Sequence, residues 1–187
     1  MMGKEFKVFI SYSWTSPEHE KWVYDLAVRL MENGIEVKFD KWDLQPGQDK
    51  YAFMESIVQD ETINRVLIIC DEGYKSKADN REGGVGTESQ IITPEIYGKT
   101  NQRKFIPIIA QRGMAFDDYL PVFLKSRIVI DMSSDDVYES GYEKLLRLIA
   151  ERPEFRKPAK GQLPNYLFED EKDIHFPYGS HSFYRQP

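Results

Sequence analysis

Ser11, Tyr12, Ser13 and Trp14 follow directly on the apolar run Val8-Phe9-Ile10. A strand that runs out into hydroxyls and aromatic rings puts them at its carboxyl end, where open α/β sheets gather ligands near the topological switch point. The Ser11 and Ser13 hydroxyls can bond a ligand or cap the next turn. Tyr12 and Trp14 can offer a π face to a ligand or pack at a loop entrance. A second group, Gly83-Gly84-Val85-Gly86-Thr87-Glu88, delivers a carboxylate to the start of a helix. The helix dipole favours a glutamate there in any case, and beside a ligand crevice the same carboxylate can stabilise developing positive charge. A third, Trp42-Asp43-Leu44-Gln45-Pro46-Gly47, joins an aromatic ring and a carboxylate to a Pro-Gly turn. There Asp43 can bond nearby amides while the turn shapes the loop.

These groups need a scaffold that brings strand ends together, and the hydrophobic pattern supplies one. Phe6 to Ser11 is a short apolar strand, and Glu18 to Asn33 carries Trp22, Val23, Leu26, Ala27 and Leu30 at helical spacing before Asn33-Gly34 ends the helix. Ile35 to Phe39 alternates as a half-exposed strand, and Tyr51 to Gln59 places Phe53, Met54, Ile57 and Val58 on one helical stripe after a cap at Asp49. Arg65 to Cys70 is uniformly apolar, as expected of a parallel strand covered on both faces. A long loop from Asp71 to Thr87 is expected next, then a helix from Glu88 to Tyr97 that Pro94 kinks. Phe105 to Ile109 and Arg127 to Ile130 add two strands, and Tyr142 to Ile149 a last amphipathic helix. Strands joined by helices favour a parallel sheet with right-handed crossovers. Five such units predict an α/β, flavodoxin-like fold with strand order 2-1-3-4-5.

Composition narrows the function. The chain has 187 residues and a formal charge of -6, which argues against a broad phosphate-binding surface and so against nucleic acid as a partner. One cysteine, Cys70, excludes an internal disulfide framework and reads as a buried small residue. No apolar run approaches the roughly 20 residues that span a bilayer, and no signal peptide precedes the first strand. A cytoplasmic protein is expected. His19, His175 and His181 are scattered, so no metal site is expected. The glycines at 83, 84 and 86 do not form a dinucleotide turn after the first strand, and the P-loop pattern is missing. Asp71 invites comparison with a phosphorelay receiver, but such a site needs an acidic pair where this chain has Ser11-Tyr12-Ser13.

Val8 to Ser13 resembles the first signature box of TIR domains, and Trp42 to Gly47 resembles their loop after the second strand, particularly in the SEFIR branch. Gly83 to Glu88 is similar to a bacterial variant of the region that holds the catalytic glutamate of TIR enzymes. The resemblance covers about residues 5 to 150 and implies either cleavage of NAD at the nicotinamide-ribose bond or signalling through homotypic assembly. For an enzyme it implies Glu88 as the catalytic carboxylate, with Glu95 second, and Ser11, Tyr12, Trp14, Trp42 and Asp43 around the substrate. NAD is then a substrate, no cofactor is needed, and hydrolysis and cyclisation both remain open. The resemblance also implies bacterial antiphage or stress defence, self-association, a partner effector or attached module, and a loop that gates the site or completes it across an assembly. Where many catalytic TIR domains carry a tryptophan four residues before the glutamate, this chain has Gly84. Stacking would then fall to Trp14, Tyr12 or Trp42.

Two parts are expected, a TIR-like domain over 1–151 and an irregular segment over 152–187. The latter holds prolines 153, 158, 164, 177 and 187 without a sustained period. Tyr166, Leu167, Phe168, Phe176, Tyr178, Phe183 and Tyr184 exceed what a solvated tail needs, so packing on the domain or docking on a partner is expected, with disorder the alternative.

Overall fold

Five parallel strands form one sheet in the order β2-β1-β3-β4-β5. The computed structural model describes residues 5–80, 91–92, 97–98 and 101–168. The strands are β1 (Lys7–Ser11), β2 (Glu36–Lys38), β3 (Arg65–Cys70), β4 (Phe105–Ile109) and β5 (Ile130–Asp131), interleaved with helices α1 (Pro17–Glu32), α2 (Asp40–Asp43), α3 (Lys50–Gln59), α4 (Glu72–Asp79) and α5 (Asp135–Ile149). The fold is the flavodoxin-like one expected from the alternating pattern.

Each strand earns its place by what it buries. Val8 and Ile10 face one side of the sheet and pack with Val23, Leu26 and Leu30 of α1 and Leu145 and Ile149 of α5. Phe9 faces the other side, with Met54 and Val58 of α3 and Tyr74 of α4. β3 lies between β1 and β4, and Val66 through Cys70 are fully buried. Such complete burial explains its unbroken apolar sequence. Ser16 caps α1 by accepting the His19 amide at 3.2 Å, and Pro17 occupies the first turn where no donor is needed. Gly34, at φ +79°, turns the chain out of α1 toward β2.

Three boundaries differ from the sequence pattern. Residues 71–79 are not loop, because Asp71 caps α4 through the Tyr74 amide at 2.7 Å, and Tyr74 and Ala78, one turn apart, bury the inner face. Two apolar residues in eight give too weak a period to see. The last strand is Ile130–Asp131 instead of Arg127 to Ile130, with Ile128 98% exposed. The helix after it starts at Asp135, where two acidic residues suit the dipole but carry no apolar stripe.

The chain divides into two units, Met1–Glu154 and Phe155–Pro187. In the second, residues 155–164 are irregular and lead to a 3-10 turn at Asn165–Phe168; Phe155, Leu163, Leu167 and Phe168 are exposed. Phe176, Tyr178, Phe183 and Tyr184 lie outside the described residues. Among the described residues, no helix is long and apolar enough to cross a membrane.

Candidate functional site

The hydroxyls that end β1 are turned into the fold. Ser11 is fully buried, its Oγ 2.9 Å from the Tyr74 hydroxyl, which also accepts the Ile92 amide at 3.0 Å. Ser13 Oγ, equally buried, donates to Asp71 Oδ1 at 2.7 Å and contacts the Thr15 hydroxyl. Gly73 lets α4 approach this closely: a Cβ there would collide with Thr15 Oγ1 and crowd Ser13 Oγ at 3.2 Å.

Tyr12 and Trp14 converge on Asp40, the first residue of α2. The Tyr12 hydroxyl donates to Asp40 Oδ1 at 3.0 Å and lies 3.2 Å from Oδ2, and the Trp14 indole N–H donates to Oδ2 at 3.0 Å. Tyr12 is fully buried and stacks on Phe39 at 5.5 Å. Burial pushes the Asp40 carboxyl above its usual range, although both donors pull the other way. Burial and the neighbouring carboxylate likewise push the Tyr12 phenol up. Trp14 stays half-exposed, and the Lys50 ammonium sits 4.1 Å from its ring centroid.

Trp14, Asp40, Glu20, Lys41 and Leu44 line an open cavity of about 290 Å³ beside the carboxyl ends of β1 and β2. Lys41 pairs with Glu20 across its rim. Trp42 is 43% exposed and packs edge-on against Phe39 at 5.2 Å and Tyr24 at 6.0 Å. Asp43 accepts the Phe39 amide at 2.8 Å and the Lys38 ammonium at 3.0 Å. It therefore holds the β2–α2 turn together. Asp49 accepts the Ala52 amide at 2.9 Å, the expected cap of α3.

The SEFIR domain model matches residues 6–139. The chain belongs to the SEFIR domain family. A crystal structure of a prokaryotic SEFIR domain is 44% identical, covers 84% of this chain and 100% of its own, and superposes with a TM-score of 0.71. The TIR domain of the Toll-related receptor TRR-2 from the lower metazoan Hydra magnipapillata is 23% identical over 77% of this chain and 98% of its own, with a TM-score of 0.52, a likeness of fold. The sequence matches no curated protein.

Of the residues singled out in this SEFIR domain's sequence, Trp14 lines the cavity, Tyr12 supports it from below through Asp40, and Ser11 lies in a separate network with Tyr74. Trp42 and Asp43 belong to the adjoining helical turn. Glu88 and Glu95 lie outside the described residues, as does the glycine-rich loop. Sequence reasoning missed Asp40. The available signal was positional: Asp40 stands two residues past β2, as Tyr12 stands one past β1, and the two strands pair side by side. It also missed His19, whose Nε2 stands 3.7 Å from Asp71 Oδ2. Cys70 is buried, and burial pushes its thiol up, as suits a packed residue. Among the described residues, no cluster of three or more histidine, cysteine or acidic side chains is placed to hold a metal.

Proposed function

We propose that this SEFIR domain cleaves the nicotinamide-ribose bond of NAD, within the cytoplasm, in bacterial antiphage or stress defence. The observation that carries this reading is the cavity where the Trp14 indole meets the Asp40 and Glu20 carboxylates. The nicotinamide ring of NAD is a flat cation, suited to an indole face and to nearby negative charge. Lys50 already holds a cation over that ring, at 4.1 Å.

As the bond from ribose to nicotinamide breaks, its electron pair leaves with the ring, and positive charge moves to the ribose. Carboxylates next to the sugar stabilise that charge where it develops. Glu88, delivered by the glycine-rich sequence, is the proposed catalytic carboxylate that orients the ribose hydroxyls. Water adding to the ribose carbon and losing a proton gives ADP-ribose; an internal nucleophile of the same dinucleotide gives the cyclic product. At about 290 Å³ the cavity falls just short of the usual 300–1,000 Å³ for a ligand site. It fits the nicotinamide half, and the rest of the site is completed by the Trp42 to Gly47 loop of an associated copy. The domain boundary near residue 151 is part of this reading, with 152–187 outside the catalytic unit.

A second reading is a non-catalytic adaptor, since SEFIR domains are usually interaction domains. It is favoured by the burial of Ser11, Tyr12 and Ser13, whose hydroxyls are taken up by Tyr74, Asp40 and Asp71, and by the exposure of Trp42. Nicotinamide release from NAD by the purified chain, measured over a range of protein concentrations and in Glu88→Ala, separates the two. Turnover that rises with concentration and is lost in Glu88→Ala supports the enzyme. No turnover in the assembled protein supports the adaptor.

A further inference from the structure

Asp71 and His19 meet where β1 and β3 end, the point at which the sheet's connections diverge to either side. Asp71 Oδ1 accepts Ser13 Oγ and the Tyr74 amide, both at 2.7 Å. Its other oxygen, Oδ2, is buried without a hydrogen-bond partner among the described residues. The atom facing it, His19 Nε2 at 3.7 Å, is also buried and unpartnered. Leaving two such groups unsatisfied is costly, about 1–3 kcal/mol each. Native proteins seldom keep such a pair without a reason.

The gap has a chemical explanation. When imidazole carries its one proton on Nδ1, Nε2 is an acceptor, and two acceptors facing each other repel. A second proton turns Nε2 into a charged donor aimed at a carboxylate, a pair that closes to about 2.7–2.9 Å. We propose that His19 and Asp71 form a proton-operated latch between the N-termini of α1 and α4, open when His19 is neutral with its one proton on Nδ1 and closed when both ring nitrogens are protonated, which shifts the β1–α1 connection carrying Ser13 and Trp14.

The groups around the latch favour the open state at neutral pH. Burial lowers the His19 pKa below the ordinary imidazole value, while Asp71 from the end of β3 and Glu20 from α1 act to raise it. The ring also packs near Tyr12 at 6.4 Å and parallel to Trp22 at 6.5 Å. Next to Asp71 lie the buried Cys70 and the exposed Glu72. The latch therefore closes only on acidification, on the acid side of the ordinary imidazole range. Closure draws Asp71 toward α1 and reaches Trp14 through Ser13, which bonds the same carboxylate.

The latch does not depend on NAD cleavage, so it is read without turnover. The His19 imidazole and Trp14 indole resonances of the full chain are followed by NMR against pH. The expected result is that Trp14 titrates with the His19 midpoint, and that this response is lost in His19→Gln. In Asp71→Asn, which preserves the helix cap, the His19 midpoint falls by about 1 in pH as the attracting charge is removed. A Trp14 indole that ignores the His19 titration, or a midpoint unmoved by Asp71→Asn, overturns the proposal. If Asp71→Asn does not fold, the loss or persistence of the Trp14 response in His19→Gln decides alone.

Discussion

Tyr12 and Asp40, from the ends of two neighbouring strands, are joined by a buried hydrogen bond of 3.0 Å in which the phenol donates to the carboxylate. The bond ties the floor of the cavity to the turn that follows β2. Replacing Tyr12 with Phe removes that donor and leaves Asp40 with the Trp14 indole as its remaining side-chain donor among the described contacts. An unsatisfied buried acceptor costs about 1–3 kcal/mol. Tyr12→Phe is expected to lower stability by that amount in urea melts, and Asp40→Asn in the same background to recover part of it. A Tyr12→Phe chain as stable as the parent contradicts this account.

Asp40 also gives stability a definite pH dependence. Its folded pKa is raised above the unfolded value by burial, so the folded state holds its proton more tightly. The contribution is fully present below the unfolded pKa of about 3.8 and is lost as pH rises through the folded pKa. Asp40→Asn removes this descending part of the curve. Denaturation midpoints of parent and variant, compared over this acidic range, should diverge as pH rises.

His19 has the opposite slope. Its folded pKa is lowered, so the unfolded chain binds the proton better. Stability is fully present above the unfolded value of about 6.5 and is lost as pH falls toward the folded value. His19→Gln should flatten the profile in that window while leaving it unchanged on the alkaline side. A parallel pair of profiles would show that His19 titrates equally in both states.

The sheet order was legible because each strand's burial is written in its own residues. Val66 to Cys70 announce a strand covered on both faces, and Ile35 to Phe39 one covered on one. The first helix was equally plain from Val23, Leu26, Ala27 and Leu30. What the sequence hid are relations between distant residues. Nothing local marks Asp40 as the acceptor for Tyr12, 28 positions earlier, or Asp71 as the partner of Ser13, 58 positions earlier. Hydroxyls at a strand end announce a polar site, but whether they face solvent or one another is decided by which helix N-terminus folds over them. Here α4 does so, and its two buried side chains were too few to reveal it.

Gly73 is the position where that fold-over is tightest. Gly73→Ala sets a methyl group against Thr15 Oγ1, so the Thr15 side chain must turn away or α4 and the β1–α1 connection must part. Overpacking of this kind costs about 1–3 kcal/mol. Thr15→Ala in the same chain removes the obstructing hydroxyl and should restore most of the loss, a coupling readable by a double-mutant cycle. Additive losses would mean that the two residues do not compete for space.

Lys50 offers a test that separates the two functional readings. Its ammonium lies 4.1 Å from the Trp14 ring centroid and so covers the face proposed for the nicotinamide ring. If substrate displaces that ammonium, Lys50→Ala frees the face and removes a competing charge, and KM for NAD should fall. A cation over an indole is worth about 0.5–1 kcal/mol at a partly exposed site, equivalent to a factor of about two to five. Trp14→Ala removes the face itself, so it should raise KM, and the effect of Lys50→Ala should vanish in the double variant. That loss of effect distinguishes competition at one face from a general change in surface charge. In an adaptor the same substitutions leave NAD untouched and act on self-association alone, measured by sedimentation. A KM that rises in Lys50→Ala would instead mean that the lysine binds the phosphates of the substrate, and the nicotinamide ring would have to lie elsewhere.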